Sequence, residues 1–119
     1  MRKIIHVTDR EDSTSFIKSL LEKEGFKVLT VCTGKECLEL LEKEDIDLVL
    51  LDIIMPDMTG WEVFKKIKEM KKETKVAFLS MIDVSKERKE ILFKEGIADY
   101  ITNSFDEEEL IKRVKRIVL

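Results

Sequence analysis

Five short apolar runs, each followed by a segment of helical period, alternate along this chain, and that alternation constrains its fold more than any other feature. Runs rich in β-branched and leucine residues at 3–8, 26–31, 48–51, 75–79 and 99–102 read as strands. They are nearly continuously apolar, which implies a parallel sheet buried on both faces, with right-handed crossovers laying helices on either side. The predicted fold is therefore α/β, a three-layer α/β/α sandwich around a five-stranded parallel sheet of order 2-1-3-4-5. At 119 residues and 44% hydrophobic content the chain can bury one ordinary core, so residues 1–119 read as a single domain.

The helices carry their own start and stop signals. Asp12 or Ser13 precedes the first, Thr33 with Glu36 and Thr59 with Glu62 have capping-box spacing, and Gly25 and Gly96 stop two of the helices. The last helix opens on Asp106-Glu107-Glu108-Glu109 and closes on Lys112, Arg113, Lys115 and Arg116, charges that oppose the helix dipole at both ends.

Charged residues make up 39% of the chain, yet 22 basic against 25 acidic side chains leave a net charge of −3, and the basic residues are dispersed. That balance argues against direct nucleic-acid binding or attraction to an anionic membrane. Gln is absent and Asn103 is the only asparagine, a usage that fits a thermophile protein. Cys32 and Cys37 match neither a zinc knuckle nor a redox pair and read as small buried hydrophobes. Without a signal-peptide pattern or a run of ~20 apolar residues, the expected location is cytoplasmic.

The run 48–51 ends on Asp52, then Pro56 and Gly60 enforce a loop before the next helix. In an open α/β sheet of this order, strands 1 and 3 flank the crevice where ligands bind, and Asp9 and Asp52 follow those two strands. Two carboxylates there would repel by about 4 kcal/mol at a separation of ~4 Å and an effective dielectric of ~20, unless a cation lies between them. Mg2+ accepts carboxylates, a backbone carbonyl and water, so Asp9, Asp52 and a carbonyl just beyond Asp52 form a plausible half-shell. Ser80 ends the fourth strand and could donate to a bound oxyanion.

The segments 47–60, Ser80, then Gly96-Ile97-Ala98-Asp99-Tyr100-Ile101-Thr102 and Phe105-Asp106-Glu107-Glu108-Glu109-Leu110 together resemble the receiver domains of two-component response regulators, over nearly the whole chain. The resemblance implies the flavodoxin-like, chemotaxis-receiver-like fold and a place in a phosphorelay. In that family the residue matching Asp52 accepts a phosphoryl group from a histidine kinase or phosphotransfer protein. Mg2+ is held by it, by the acid matching Asp9 and by the backbone carbonyl of the residue matching Ile54. Ser80 would hold a phosphoryl oxygen and Tyr100 would be the aromatic switch. Such a protein assists its own modification and is not a turnover enzyme.

Three departures set this chain apart. Thr8 stands where the family usually has a further acid, Asn103-Ser104 replaces the family's Lys-Pro, and Met81 replaces a small residue. One acid and one Lys are lost together, so the net charge of the cluster is unchanged. Asn103 can donate only a neutral hydrogen bond to a phosphoryl group, so weakened switching is expected. Apolar bulk at Ile54, Met81 and Ile82 is expected to slow phosphorylation and hydrolysis alike. The rival reading is a pseudo-receiver, an interaction module that signals without phosphate. A flavin carrier on the same fold is disfavoured, because the loops lack a hydroxyl-rich phosphate cradle.

Other residues carry plainer roles. Asp57 reads as a solvated turn residue, His6 as a packed core histidine, and Trp61 as apolar cover and an optical reporter. Output is expected through an unidentified downstream protein. A homodimer through helices four and five is left open, since that face carries Lys86, Glu87, Arg88, Lys112 and Arg113 without a decisive apolar patch.

Overall fold

The computed structural model describes residues 1–102 and 106–119. Strand and helix alternate as β1 Lys3–Val7, α1 Glu11–Glu22, β2 Lys27–Val31, α2 Gly34–Lys43, β3 Leu48–Leu51, α3 Gly60–Glu69, β4 Lys75–Ser80, α4 Lys86–Glu95, β5 Asp99–Thr102 and α5 Glu107–Val118. The strands form one parallel sheet in the order β2-β1-β3-β4-β5, as the alternation predicts. Three strand ends move by one residue. β1 stops at Val7 and β2 begins at Lys27, whereas β4 extends to Ser80, which pairs with Thr102 of β5.

Side chains alternate across the sheet, so β3 sends Leu48 and Leu50 to one face and Val49 and Leu51 to the other. The first face packs against Ile17, Leu20 and Leu21 of α1 and Leu110 and Val114 of α5. The second packs against Cys37 and Leu41 of α2, Val63, Phe64 and Ile67 of α3, and Leu92 of α4. Phe78 of β4 is the hub of that second layer, with ring centroids of Trp61, Phe64 and Tyr100 at 4.8, 6.1 and 5.9 Å. Trp61 is thus coupled to the strand that carries Ser80.

The capping signals are realised unequally. Thr59 and Glu62 form the full reciprocal box at the start of α3. At α2, Thr33 accepts from the Glu36 amide and gives its hydroxyl proton to the Glu36 carboxylate, and only the Thr33 half of the expected box closes among the described residues. The expected start of α1 at Asp12 or Ser13 is corrected: extended Arg10 is its N-cap, without a side-chain cap, and Glu11 and Asp12 lie in the first turn. Carboxylates at those positions favour the positive end of the helix dipole, which offsets the absent cap. Gly96 terminates α4 at φ +113° and Gly25 turns the chain after α1 at φ +91°, a region that costs other residues strain.

Two core readings divide. Cys37 is buried, and burial pushes its thiol up to about 12. Cys32 is exposed, which corrects the reading of both cysteines as buried; it directly follows β2, the edge strand, where no neighbouring strand covers it. His6 is fully buried in β1, and burial lowers its pKa to about 4. Its Nδ1 has no hydrogen-bond partner among the described residues. No helix among the described residues is long and apolar enough to cross a membrane.

Candidate functional site

Because β1 and β3 are neighbours, their carboxyl ends place Thr8 beside Asp52, with Asp9 next in the chain. The Asp52 amide bonds to the Val7 carbonyl at 3.0 Å, so the residue is fixed by the ladder itself. Its side chain is only 8% exposed and both oxygens are engaged. Oδ2 accepts from the Thr8 hydroxyl at 3.0 Å, and Oδ1 accepts from the Ile53 amide at 2.7 Å. The Arg10 amide donates to the Thr8 hydroxyl oxygen at 3.2 Å, which turns the single Thr8 proton toward Asp52. The sequence marks Thr8 only as a missing acid; the structure makes it the side-chain donor to the candidate nucleophile. A hydroxyl at the end of the strand beside Asp52 is the signal that could have revealed it.

Asp9 is exposed and lines a cleft of about 350 Å3 with Thr8, Glu11, Glu36 and Pro56. Pro56 belongs to the loop after β3, so Asp9 faces the loop that carries Ile54. Asp9, Asp52 and the Ile54 carbonyl are all hard oxygen donors, a set that suits Mg2+ with several retained waters. Among the described residues no group of three His, Cys, Asp or Glu side chains could hold a metal by itself, so a backbone oxygen and water would have to complete such a shell.

The loop after β3 is anchored through its backbone. The Gly60 amide bonds to the Ile53 carbonyl at 2.7 Å, and a Cβ at Gly60 would lie 2.4 Å from the Asp52 carbonyl oxygen. Only glycine lets α3 begin so close to Asp52. Asp57 is an exposed turn residue as expected, and it also accepts from the first amides of α2, Gly34 at 2.9 Å and Lys35 at 3.0 Å. Its slight burial works the other way, but the amides of Gly34, Lys35, Asp57 and Met58 together hold its carboxyl below the usual carboxylate range. That tie was hidden because the partner amides lie more than twenty residues away in sequence.

The loop after β4 is held differently. Ser80 is buried and its hydroxyl accepts from the Ile82 amide at 3.1 Å, leaving its proton for another acceptor. Tyr100 of β5 is buried against Phe78, and its hydroxyl donates to the Ile82 carbonyl. Burial, then the negative charges of Asp83 and Asp52, push the phenol up to about 12, so it remains a donor at all ordinary pH. Asp83 pairs with Lys89 of α4 at 3.0 Å. Around these groups Ile54 and Met81 stand 61% and 64% exposed, and Ile82 is also exposed, forming an apolar rim. Asn103, expected in place of the family Lys, lies outside the described residues, as does Ser104.

Residues 4–115 match the family model of the response regulator receiver domain. The chain belongs to the response regulator receiver domain family. CpxR of Escherichia coli strain K12, a transcriptional regulatory protein, is 36% identical over 99% of this chain and 50% of its own length. The response regulator SaeR of Staphylococcus epidermidis is 33% identical over 99% of this chain and 51% of its own length. This receiver domain therefore spans about half the length of the curated relatives it matches. Among solved structures, the receiver domain of the Francisella response regulator 1452 superposes with a TM-score of 0.90 at 31% identity, covering 99% and 97% of the two chains. TrrA of Thermotoga maritima, solved in complex with Mg2+-BeF, has a TM-score of 0.85 at 31% identity, covering 98% and 99%.

Of the expected site residues, the receiver fold joins Asp52 to the end of β1 and links Ser80 with Tyr100 through one residue, Ile82, whose amide bonds to Ser80 and whose carbonyl bonds to Tyr100. The two exposed apolar residues of α4, Ile91 and Phe93, border different grooves, one against α3 and one against α5. They do not merge into one apolar patch.

Proposed function

We propose that this receiver domain accepts a phosphoryl group on Asp52 from a histidine kinase or phosphotransfer protein, in the presence of Mg2+, and switches only weakly. The observation that carries the reading is the buried Asp52 carboxylate, held on both oxygens at the carboxyl edge of β3, with a free-proton hydroxyl at Ser80 on the adjoining strand. A carboxylate needs no base. The donor's P–N bond breaks as the bond from phosphorus to an Asp52 oxygen forms, and catalysis reduces to positioning and charge stabilisation. Mg2+ held by Asp9, Asp52 and the Ile54 carbonyl would supply the neutralising charge.

This chain's own residues then act in sequence. Thr8 and the Ile53 amide fix the carboxylate, Ser80 offers its proton to a phosphoryl oxygen, and the apolar rim of Ile54, Met81 and Ile82 restricts water and donor. Ile82 carries the signal to Tyr100, which bonds to its carbonyl. Because that bond already exists, part of the rearrangement has been made in advance. A downstream protein would read the surface around α4, β5 and α5.

The pseudo-receiver is the second reading, favoured by Thr8, whose hydroxyl already occupies an Asp52 oxygen where the resemblance calls for another acid. Incubation with acetyl phosphate, followed by intact-mass analysis over time, separates the two. A phosphoryl adduct that forms slowly, decays slowly and is absent in Asp52→Asn supports the phosphoacceptor. No adduct supports the pseudo-receiver, and turnover within seconds would sink the proposed role of the apolar rim.

A further inference from the structure

The loop that would lend its Ile54 carbonyl to Mg2+ is tied at two places. At its far end the Gly60 amide closes onto the Ile53 carbonyl at 2.7 Å. In its middle, Asp57 spans to another element altogether, placing Oδ1 on the Gly34 amide and Oδ2 on the Lys35 amide at the start of α2. These are two of the donors that a helix leaves unsatisfied in its first turn. The next amide, Glu36, is taken by Thr33, so local and distant acceptors divide the same helix end.

Packing reinforces the tie. A Cβ on Gly34 would lie 2.5 Å from Cγ and 2.7 Å from Sδ of Met58, so the α2 backbone rests directly on the residue after Asp57. A carboxylate facing two amides at the positive end of a helix makes charge-assisted bonds, each stronger than a neutral one. Ile54 itself has an exposed side chain and contributes little packing of its own. Its neighbours Ile53 and Met55 are buried in the core, so its carbonyl is placed by them together with the ties at Gly60 and Asp57.

We infer that Asp57 is a positioning residue for the divalent-ion site, clamping the loop of residues 53–60 to α2 so that the Ile54 carbonyl stays where a metal can use it. The inference rests on the proposal that Mg2+ binds at Asp9, Asp52 and Ile54. Groups that orient ligands from outside the coordination shell typically alter metal affinity by about tenfold or more. Asp57 would do so through the backbone, from the opposite side of the loop.

The test is Mg2+ affinity, read from amide NMR shifts and Trp61 fluorescence without any phosphodonor, in wild type, Asp57→Ala, Asp57→Asn and Thr33→Ala. Thr33→Ala removes a cap from the same helix end but leaves the loop tied to it through Asp57. The expected result is about tenfold weaker Mg2+ binding in Asp57→Ala, an intermediate loss in Asp57→Asn, which keeps one acceptor, and wild-type affinity in Thr33→Ala. Equal weakening in Asp57→Ala and Thr33→Ala would reduce Asp57 to a helix cap and overturn the inference. Wild-type affinity in Asp57→Ala would overturn it too, while leaving the phosphoacceptor reading intact. Absence of Mg2+ binding in wild type would remove both.

Discussion

The two loops that flank the candidate site are built in opposite ways. The loop after β3 is fixed mainly by backbone: the Asp52 amide sits in the ladder and Gly60 closes onto Ile53, while one carboxylate, Asp57, ties its middle to α2. The loop after β4 is fixed by side-chain hydroxyls: Ser80 and Tyr100 hold the amide and the carbonyl of Ile82, while Met81 projects into solvent. Backbone ties depend on the fold alone. Hydroxyl ties can be exchanged for a phosphoryl oxygen at small cost, since a neutral hydrogen bond is worth only about 1 kcal/mol net. On the proposed phosphoacceptor reading, the first loop would present the chemistry and the second would respond to it.

The largest expected effect breaks the rigid half. Gly60→Ala drives a methyl into the Asp52 carbonyl, backbone against backbone, so neither side can yield cheaply. A loss of about 3 kcal/mol in urea unfolding is expected. A substitution tolerated within experimental error would show that the loop after β3 is softer than its contacts imply.

Acid probes the sheet that both loops share. His6 is neutral in the fold because burial lowers its pKa to about 4, against 6.5 when exposed. Between those values the unfolded chain binds more protons than the folded one, so stability falls as pH drops below ~6.5 and levels off below ~4. From pH 7 to pH 5 the His6 contribution amounts to about 2 kcal/mol. Unfolding curves of wild type and His6→Leu should differ in slope against pH over that window. Parallel curves would mean that His6 is solvated or paired in solution.

The smallest effect sharpens the responsive half. Tyr100→Phe keeps the ring against Phe78 but removes the bond to the Ile82 carbonyl, for an expected loss of about 1 kcal/mol. Amide exchange should quicken at residues 81–85 and stay unchanged at residues 53–60. Equal changes in both loops would erase the contrast between them.

The same contrast explains what could be read in advance. The strand order, the position of Asp52 and the Thr59 cap follow from local pattern, because apolar runs and turn residues act on their own neighbourhood. Thr8 and Asp57 acquire their roles from groups 44, 23 and 22 residues distant, and no local pattern encodes those meetings. Cys32 was read from its residue type alone, although the predicted strand order already put β2 at the edge of the sheet, where its end is exposed. The start of α1 shifted because carboxylates in a first turn compete with a side-chain cap.

The most direct test of the division between a preset loop and a responsive one is to saturate the protein with Mg2+ and then add beryllofluoride, following every assigned amide by NMR in wild type and Asp52→Asn. The account predicts Mg2+-dependent shifts that continue beyond the pocket to residues 81–85 and Tyr100, modest in size, with residues 57–60 little changed and no response in Asp52→Asn. Persistence of the response in Asp52→Asn, or changes confined to the immediate surroundings of Asp52, would contradict it.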